Sequence, residues 1–209
     1  MLNALGLLVV LSAAAVPAAA VDPSPVRLVA VELGAPPFGT VSGGITAFDV
    51  TVDEHGAVSR ADCVQDLAPY SDLMRTALPA WRFEPAHAAG AAVTARTLVL
   101  GFFRPPSLTF AAPSNPRYHS TEAPPEVPWP TSVAVPPYPP NAQGAGLVIL
   151  EIDISAGGKV TGARVVTTAS AFDGASTSTA RAWTFRPAQR NGRPVTSRAY
   201  LVFSFPGVV

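Results

Sequence analysis

This 209-residue chain is poor in the side chains that do chemistry. Its one cysteine, Cys63, cannot form an internal disulfide and reads as a small core residue of a strand. Its three histidines, His55, His87 and His119, lie far apart, and residues 138–209 contain none. A metal centre needs several ligands at liganding spacing, so no metal site is expected. The G-x-S-x-G, Walker and dinucleotide-binding glycine patterns are absent as well. Asp53 and Glu54 read as a solvated hairpin tip rather than an acid pair. Glu151 and Asp153 share the polar face of one strand but do not recur as a pair. The expectation is a chain with no catalytic residues, no metal and no cofactor: not an enzyme. Charged residues make up only 13% and sum to a net charge of zero, which argues against nucleic acid as a partner. The balance is uneven, since residues 44–104 carry five arginines against seven acidic residues, and residues 141–209 carry seven Lys/Arg against three. That excess reads either as scattered solvated charge or as a preference of the second half for acidic partners.

What the chain does have is a repeat. Trp81-Arg82-Phe83-Glu84-Pro85-Ala86 returns as Trp183-Thr184-Phe185-Arg186-Pro187-Ala188, 102 positions on. The same spacing carries Gly56 and Val58 onto Gly158 and Val160, Tyr70 onto Phe172, and Gly90 and Val93 onto Gly192 and Val195. A gapless match of that length implies an internal duplication. The chain then divides into a leader (1–20), an N-terminal extended segment (21–43), a first unit (44–104), a proline-rich linker (105–137) and a second unit (138–209). Units this small bury a limited core and are expected to pair with each other, with a second copy of the chain or with a partner.

Met1 to Ala20 is apolar and alanine-rich, with small residues at Ala18 and Ala20, which fits a signal peptide cleaved after Ala20. Leu5 to Val16 is short for a membrane span, and no Lys or Arg precedes it. Two locations follow. Cleavage places the protein in the periplasm. Retention anchors it in the inner membrane by residues 2–21, facing the periplasm, and only then does it touch a membrane.

Within the first unit Phe48, Val50 and Val52 alternate with polar or small residues, the period of a half-buried strand. Asp53-Glu54-His55-Gly56 makes a turn with glycine where positive φ is cheapest. Ala57 to Val64 forms the second strand. Its apolar parity slips between Val58 and Ala61/Cys63, as it does between Val160 and Ala163/Val165, which predicts a bulge in both. Ser71 or Asp72 caps a helix that carries Leu73, Ala77, Ala80 and Trp81 on one face and ends or kinks at Pro79. Trp81 and Trp183, repeated at a helix exit, read as core plugs, with Phe83 and Phe185 beside them. Val93 to Phe103 is the closing strand. The second unit repeats this plan, with Asp173 the candidate cap before a helix at Ala175 to Trp183 and a closing strand at Val195 to Phe205. The fold class expected is α+β: two tandem β-β-α-β units, each a three-stranded antiparallel sheet packed on one helix. Val26 to Leu33 reads as an extended segment without counterpart in the second unit. Residues 104–140 hold twelve prolines and cannot form a sheet interior or a helix; extended, they span at most about 100 Å.

Tyr138-Pro139, Gly146-x-Val148, Phe172-Asp173, Trp183-x-Phe185-x-Pro187-Ala188 and Gly192-x-Pro194-Val195 together resemble the C-terminal domain of TonB-type energy transducers. The likeness covers nearly all of 138–209, with 44–103 similar to a diverged second copy. What the resemblance implies is a periplasmic, non-enzymatic unit. It pairs its last strand with an extended segment of an outer-membrane transporter or another envelope protein. On this sequence the pairing residues are Arg198, Tyr200, Leu201, Val202 and Phe203, with Tyr138 near the entry. No strand follows them, and little charge guards them, so they are expected at a sheet edge. The resemblance is incomplete. Tyr138 to Gly146 is short, the leader lacks the intramembrane histidine tied to proton-driven coupling, and the proline-rich spacer separates two copies. A structural or regulatory envelope protein whose units pair with each other is the alternative.

Overall fold

A computed structural model describes residues 23–34, 43–104 and 123–207. The leader, in both its readings, lies outside the described residues, as does much of the linker. Fourteen strands and two helices occur among the described residues. The first half contains β1 (Arg27–Ala30), β2 (Gly44–Val52), β3 (Val58–Gln65), α1 (Tyr70–Ala77), β4 (Arg82–Glu84), β5 (Ala86–Ala88), β6 (Ala91–Val93) and β7 (Ala95–Phe103). The second contains β8 (Trp129–Ser132), β9 (Gly146–Ile154), β10 (Val160–Thr167), α2 (Ser170–Arg181), β11 (Thr184–Arg186), β12 (Gln189–Arg190), β13 (Arg193–Pro194) and β14 (Ser197–Phe205). The class is mixed α+β, mostly strand.

Local chemistry explains the boundaries. The turn after β2 closes on Asp53, whose carboxylate accepts from the N–H groups of His55 and Ala57 at 2.9 Å. Gly56 follows at φ +80, where a Cβ would lie 1.8 Å from the Phe83 carbonyl oxygen. The predicted bulges are present: register slips between Thr51 and Val52 opposite β3, and between Val160 and Gly162 in β10. Pro79 converts the end of α1 into a 3-10 turn at Leu78–Ala80. Helix α2 begins at Ser170, five residues earlier than expected. Asp173 does not stand at its cap; from the first turn its carboxylate reaches back to accept from the Ala169 N–H at 3.0 Å.

The two expected three-stranded sheets are one. Six strands run in the order β10-β9-β14-β7-β2-β3, antiparallel throughout except for the central pair, where β14 and β7 are parallel. Helix α1 packs through Tyr70 and Met74 on the face bearing Phe48, Val50, Val99, Tyr200 and Val202. Helix α2 packs through Phe172 and Ala180 on the other face, with Leu98, Leu100, Phe102, Leu201 and Phe203. Both faces of the central strands are therefore buried, which is why their apolar residues run consecutively rather than alternating.

The register of the central pair follows from geometry. Strands β7 and β14 begin and end 102 residues apart, so a two-fold axis along the strands that matched them residue for residue would set Leu98 level with Tyr200. That axis turns the two side chains to opposite faces, whereas level residues of a parallel pair share a face. A slip of one residue resolves the conflict: Leu98 pairs with Ala199, Val99 with Tyr200, and so on to Phe103 with Ser204.

Two expectations about the flanking segments are corrected. Arg27–Ala30 does have a counterpart, because β8 starts 102 residues after β1, and each pairs antiparallel with the strand that follows its half's tryptophan, β4 or β11. The described part of the linker is extended but packed, not free. Trp129–Ser132 is a strand, and Val127, Trp129 and Val133 are buried. Pro130 is tolerated there because β8 bonds to one neighbour only.

Candidate functional site

Arg198, Tyr200, Leu201, Val202 and Phe203, the residues expected to receive a partner segment, all lie on β14. The strand is not at an edge. Antiparallel β9 bonds it from Gly146 to Ile154 on one side, and β7 bonds it from Leu98 to Phe103 on the other. Tyr200, Val202 and Phe203 have no exposed surface, and Leu201 is 1% exposed. The consecutive apolar side chains that read as an unguarded edge belong to a strand with neighbours on both sides and both faces.

Tyr200 supplies a polar contact at this seam. Its hydroxyl donates to the Val26 carbonyl at 2.9 Å and accepts from the Leu28 N–H at 3.0 Å. The Glu151 carboxylate lies 3.3 Å away. Burial raises the phenol's pKa above its ordinary value, and the Glu151 charge raises it further. Arg198 donates to Asp153 at 2.9 Å, stands 3.6 Å from Glu151 and reaches the Val26 carbonyl. Glu151 also takes two bonds from Arg164, whose guanidinium is held charged mainly by them. In the other half, 102 positions earlier, Asp49 is bound by Arg96 through both carboxylate oxygens, and Arg96 extends to Glu126 at 3.1 Å.

Each segment leading into β1 or β8 thus crosses to the opposite half. Residues 23–34 bond β14 through Tyr200 and Arg198, while residues 123–136 bond β7 through Glu126 with Arg96 and, just past its end, Arg104 through the Pro136 carbonyl. Both segments are also tied to their own half, since Trp81 Nε1 donates to the Glu32 carbonyl and Trp183 Nε1 to the Ala134 carbonyl, each at 3.0 Å. The tryptophans are 0% and 1% exposed and fill the cores. Tyr138 sits apart from the seam, edge-on to Phe172 and Phe205, with its hydroxyl on the Gly144 carbonyl at 2.6 Å. Apart from Glu126 with Arg96, these crossing contacts were hidden in the sequence, because a carbonyl or N–H that receives a distant side chain carries no residue-type signal.

At the start of β7 and β14 lies a cleft of about 580 Å³, lined by residues of both halves including Arg96, Glu126, Ser197 and Arg198. Arg96 and Arg198 are engaged by the carboxylates just named. Cys63 is half-buried, its thiol directed to the Gln65 carbonyl. Among the described residues no three His, Cys, Asp or Glu side chains gather to hold a metal, and no helix is long and apolar enough to cross a membrane. The sheet's outer edges are β3 and β10.

Comparison with curated proteins and with solved structures returns no match. A family match does exist, confined to the second half. Its family is a non-catalytic protein-interaction domain of the cell envelope that works with outer-membrane transporters. From the end of the β8 segment through the whole of β14, residues 134–206 match the Gram-negative bacterial TonB protein C-terminal family.

Proposed function

We propose that this chain is an exported TonB-like protein built from two TonB C-terminal-type units, the first diverged. It engages extended segments of envelope partners, outer-membrane transporters foremost, in energy-coupled transport. The second unit is supported by the family match and the first by recurrence: β1, β2, β3, β4 and β7 each begin and end 102 residues before β8, β9, β10, β11 and β14. One observation shapes the reading. The strand that the resemblance assigns to the partner is taken up by the closing strand of the sister unit, over Leu98–Phe103 and Ala199–Ser204. Capture of a partner on Arg198, Tyr200, Leu201, Val202 and Phe203 therefore requires β7 to give way. Tyr138, on the outer side of Phe172 and Phe205, need not move.

A second reading, a structural or regulatory envelope protein without transporter coupling, is favoured by the burial of β14 on all sides. Hydrogen exchange separates the two. In the free protein the amides of residues 198–205 are expected to be slow. On adding an extended transporter segment, coupling predicts that residues 95–103 lose protection while 198–205 keep theirs. No change in either strand supports the self-paired protein. Fast exchange of 198–205 in the free protein overturns the internal pairing that both readings share.

A further inference from the structure

The two outer strands of the sheet are not alike, and the difference points to a second copy of this chain. On β10, Arg164 stands opposite Glu151 of β9 and bonds it twice, so the charge is neutralised within the sheet. The corresponding place on β3 holds Asp62, opposite Asp49 of β2. Like charges directly opposite are unfavourable. Asp49 has Arg96, whose charge Asp62 also feels, but among the described residues Asp62 forms an ion pair only with its own strand neighbour Arg60, at 2.6 Å, with the two side chains 44% and 71% exposed. Both project from the face opposite α1, and among the described residues no strand covers the outer side of β3.

We propose that β3 pairs antiparallel with β3 of a second copy about a two-fold axis through Ala61, extending the sheet across two molecules. In that register Arg60 faces Asp62 of the other copy, and Asp62 faces Arg60. Each arginine then adds a cation beside the Asp62/Asp49 pair, which answers the like-charge contact. The alternatives lack this fit. Two β10 strands meeting about Ala163 would set Arg164 against Gly162, with no charge gained. A head-to-tail joint of β3 with β10, Ala61 against Ala163, would oppose Arg60 to Arg164. That repulsion disfavours an open filament and leaves the closed dimer. The bulge near Ser59 keeps the ladder short, so the charged rungs carry its register.

Sedimentation of the exported chain tests this. A dimer is expected for the wild type and a monomer for Asp62→Arg. The second half, with Arg164 at this place, shows that the fold accepts arginine there. The double variant Arg60→Asp/Asp62→Arg restores the charge pattern and should restore the dimer. In a Cys63→Ser background, Ala61→Cys should form an intermolecular disulfide on mild oxidation, since paired Cα atoms of an antiparallel ladder lie within disulfide reach. A wild type that stays monomeric at every concentration overturns the proposal. So does a dimer that Asp62→Arg leaves intact, or one that the double variant fails to restore while its circular dichroism is native.

Discussion

Tyr200 bonds the backbone of the other half from inside the core. Removing its hydroxyl leaves the buried Leu28 N–H without its partner and the Val26 carbonyl with Arg198 alone. Tyr200→Phe is expected to cost about 1–3 kcal/mol in urea unfolding. The same group sets an alkaline limit. Its pKa is raised in the folded protein, so the fold holds the neutral phenol, and this contribution is intact below the ordinary tyrosine value of about 10. As pH climbs past that value the unfolded state ionises first and the contribution is lost. Wild type should therefore lose stability above pH 10 more steeply than Tyr200→Phe, and equal slopes would contradict the assignment. Glycines give a second contrast at this scale. Gly158 and Gly192 both have positive φ, but a Cβ at Gly158 would lie 1.9 Å from the Phe185 carbonyl, whereas nothing lies within 4 Å at Gly192. Gly192→Ala should cost about 1–2 kcal/mol from its backbone conformation. Gly158→Ala should cost clearly more, as measured by thermal melting of the two variants.

Among elements, the two short helices hold the crossing segments in place through the tryptophans at their exits. Trp81→Ala and Trp183→Ala are each expected to destabilise by about 3–5 kcal/mol through the cavity they leave. Exchange at residues 27–33 should quicken in the first variant and at residues 129–135 in the second. Unchanged exchange there would mean that the crossing segments are held by something else. A proline in the closing strand tests folding, not binding. Leu201 lies in the middle of a six-stranded sheet with bonds to both sides, so Leu201→Pro should abolish the native circular dichroism. Elements were also where the sequence was most readable. The parity slip after Val58 and the break at Pro79 are local signals that appear where expected; alternation at Phe48, Val50 and Val52 marks a strand, but not a half-buried one, since Ile45 to Val50 are all buried. Strands β1 and β8 were not readable as counterparts, because four-residue strands beside prolines carry almost no pattern. The place of β14 was legible in principle. An edge strand with one open face should alternate, and Tyr200 to Phe205 does not. What no local pattern could supply is the partner, since parallel pairing across a hundred residues leaves no trace in composition or period.

For the whole molecule, the crossing contacts predict one unfolding event. Each core holds side chains from both halves, so neither half can melt and leave the other its full packing. Thermal unfolding followed by circular dichroism and by tryptophan fluorescence should give coincident transitions. Two separated transitions would show that the halves are independent. The slipped register at the centre has a further consequence, for how such a protein can change over generations. Were the seam formed by two identical chains, every substitution on it would appear twice, once on each side of a geometry that is not the same on both sides. Here the two sides are separate stretches of one sequence. Tyr200 has been matched with a Leu28 N–H that can serve it. At the corresponding places Leu98 brings no hydroxyl, and Pro130 offers no N–H to need one. Covalent linkage lets each side of the seam carry its own residues, and the Tyr200 bond to the other half occurs here once, on the side where Leu28 offers a donor.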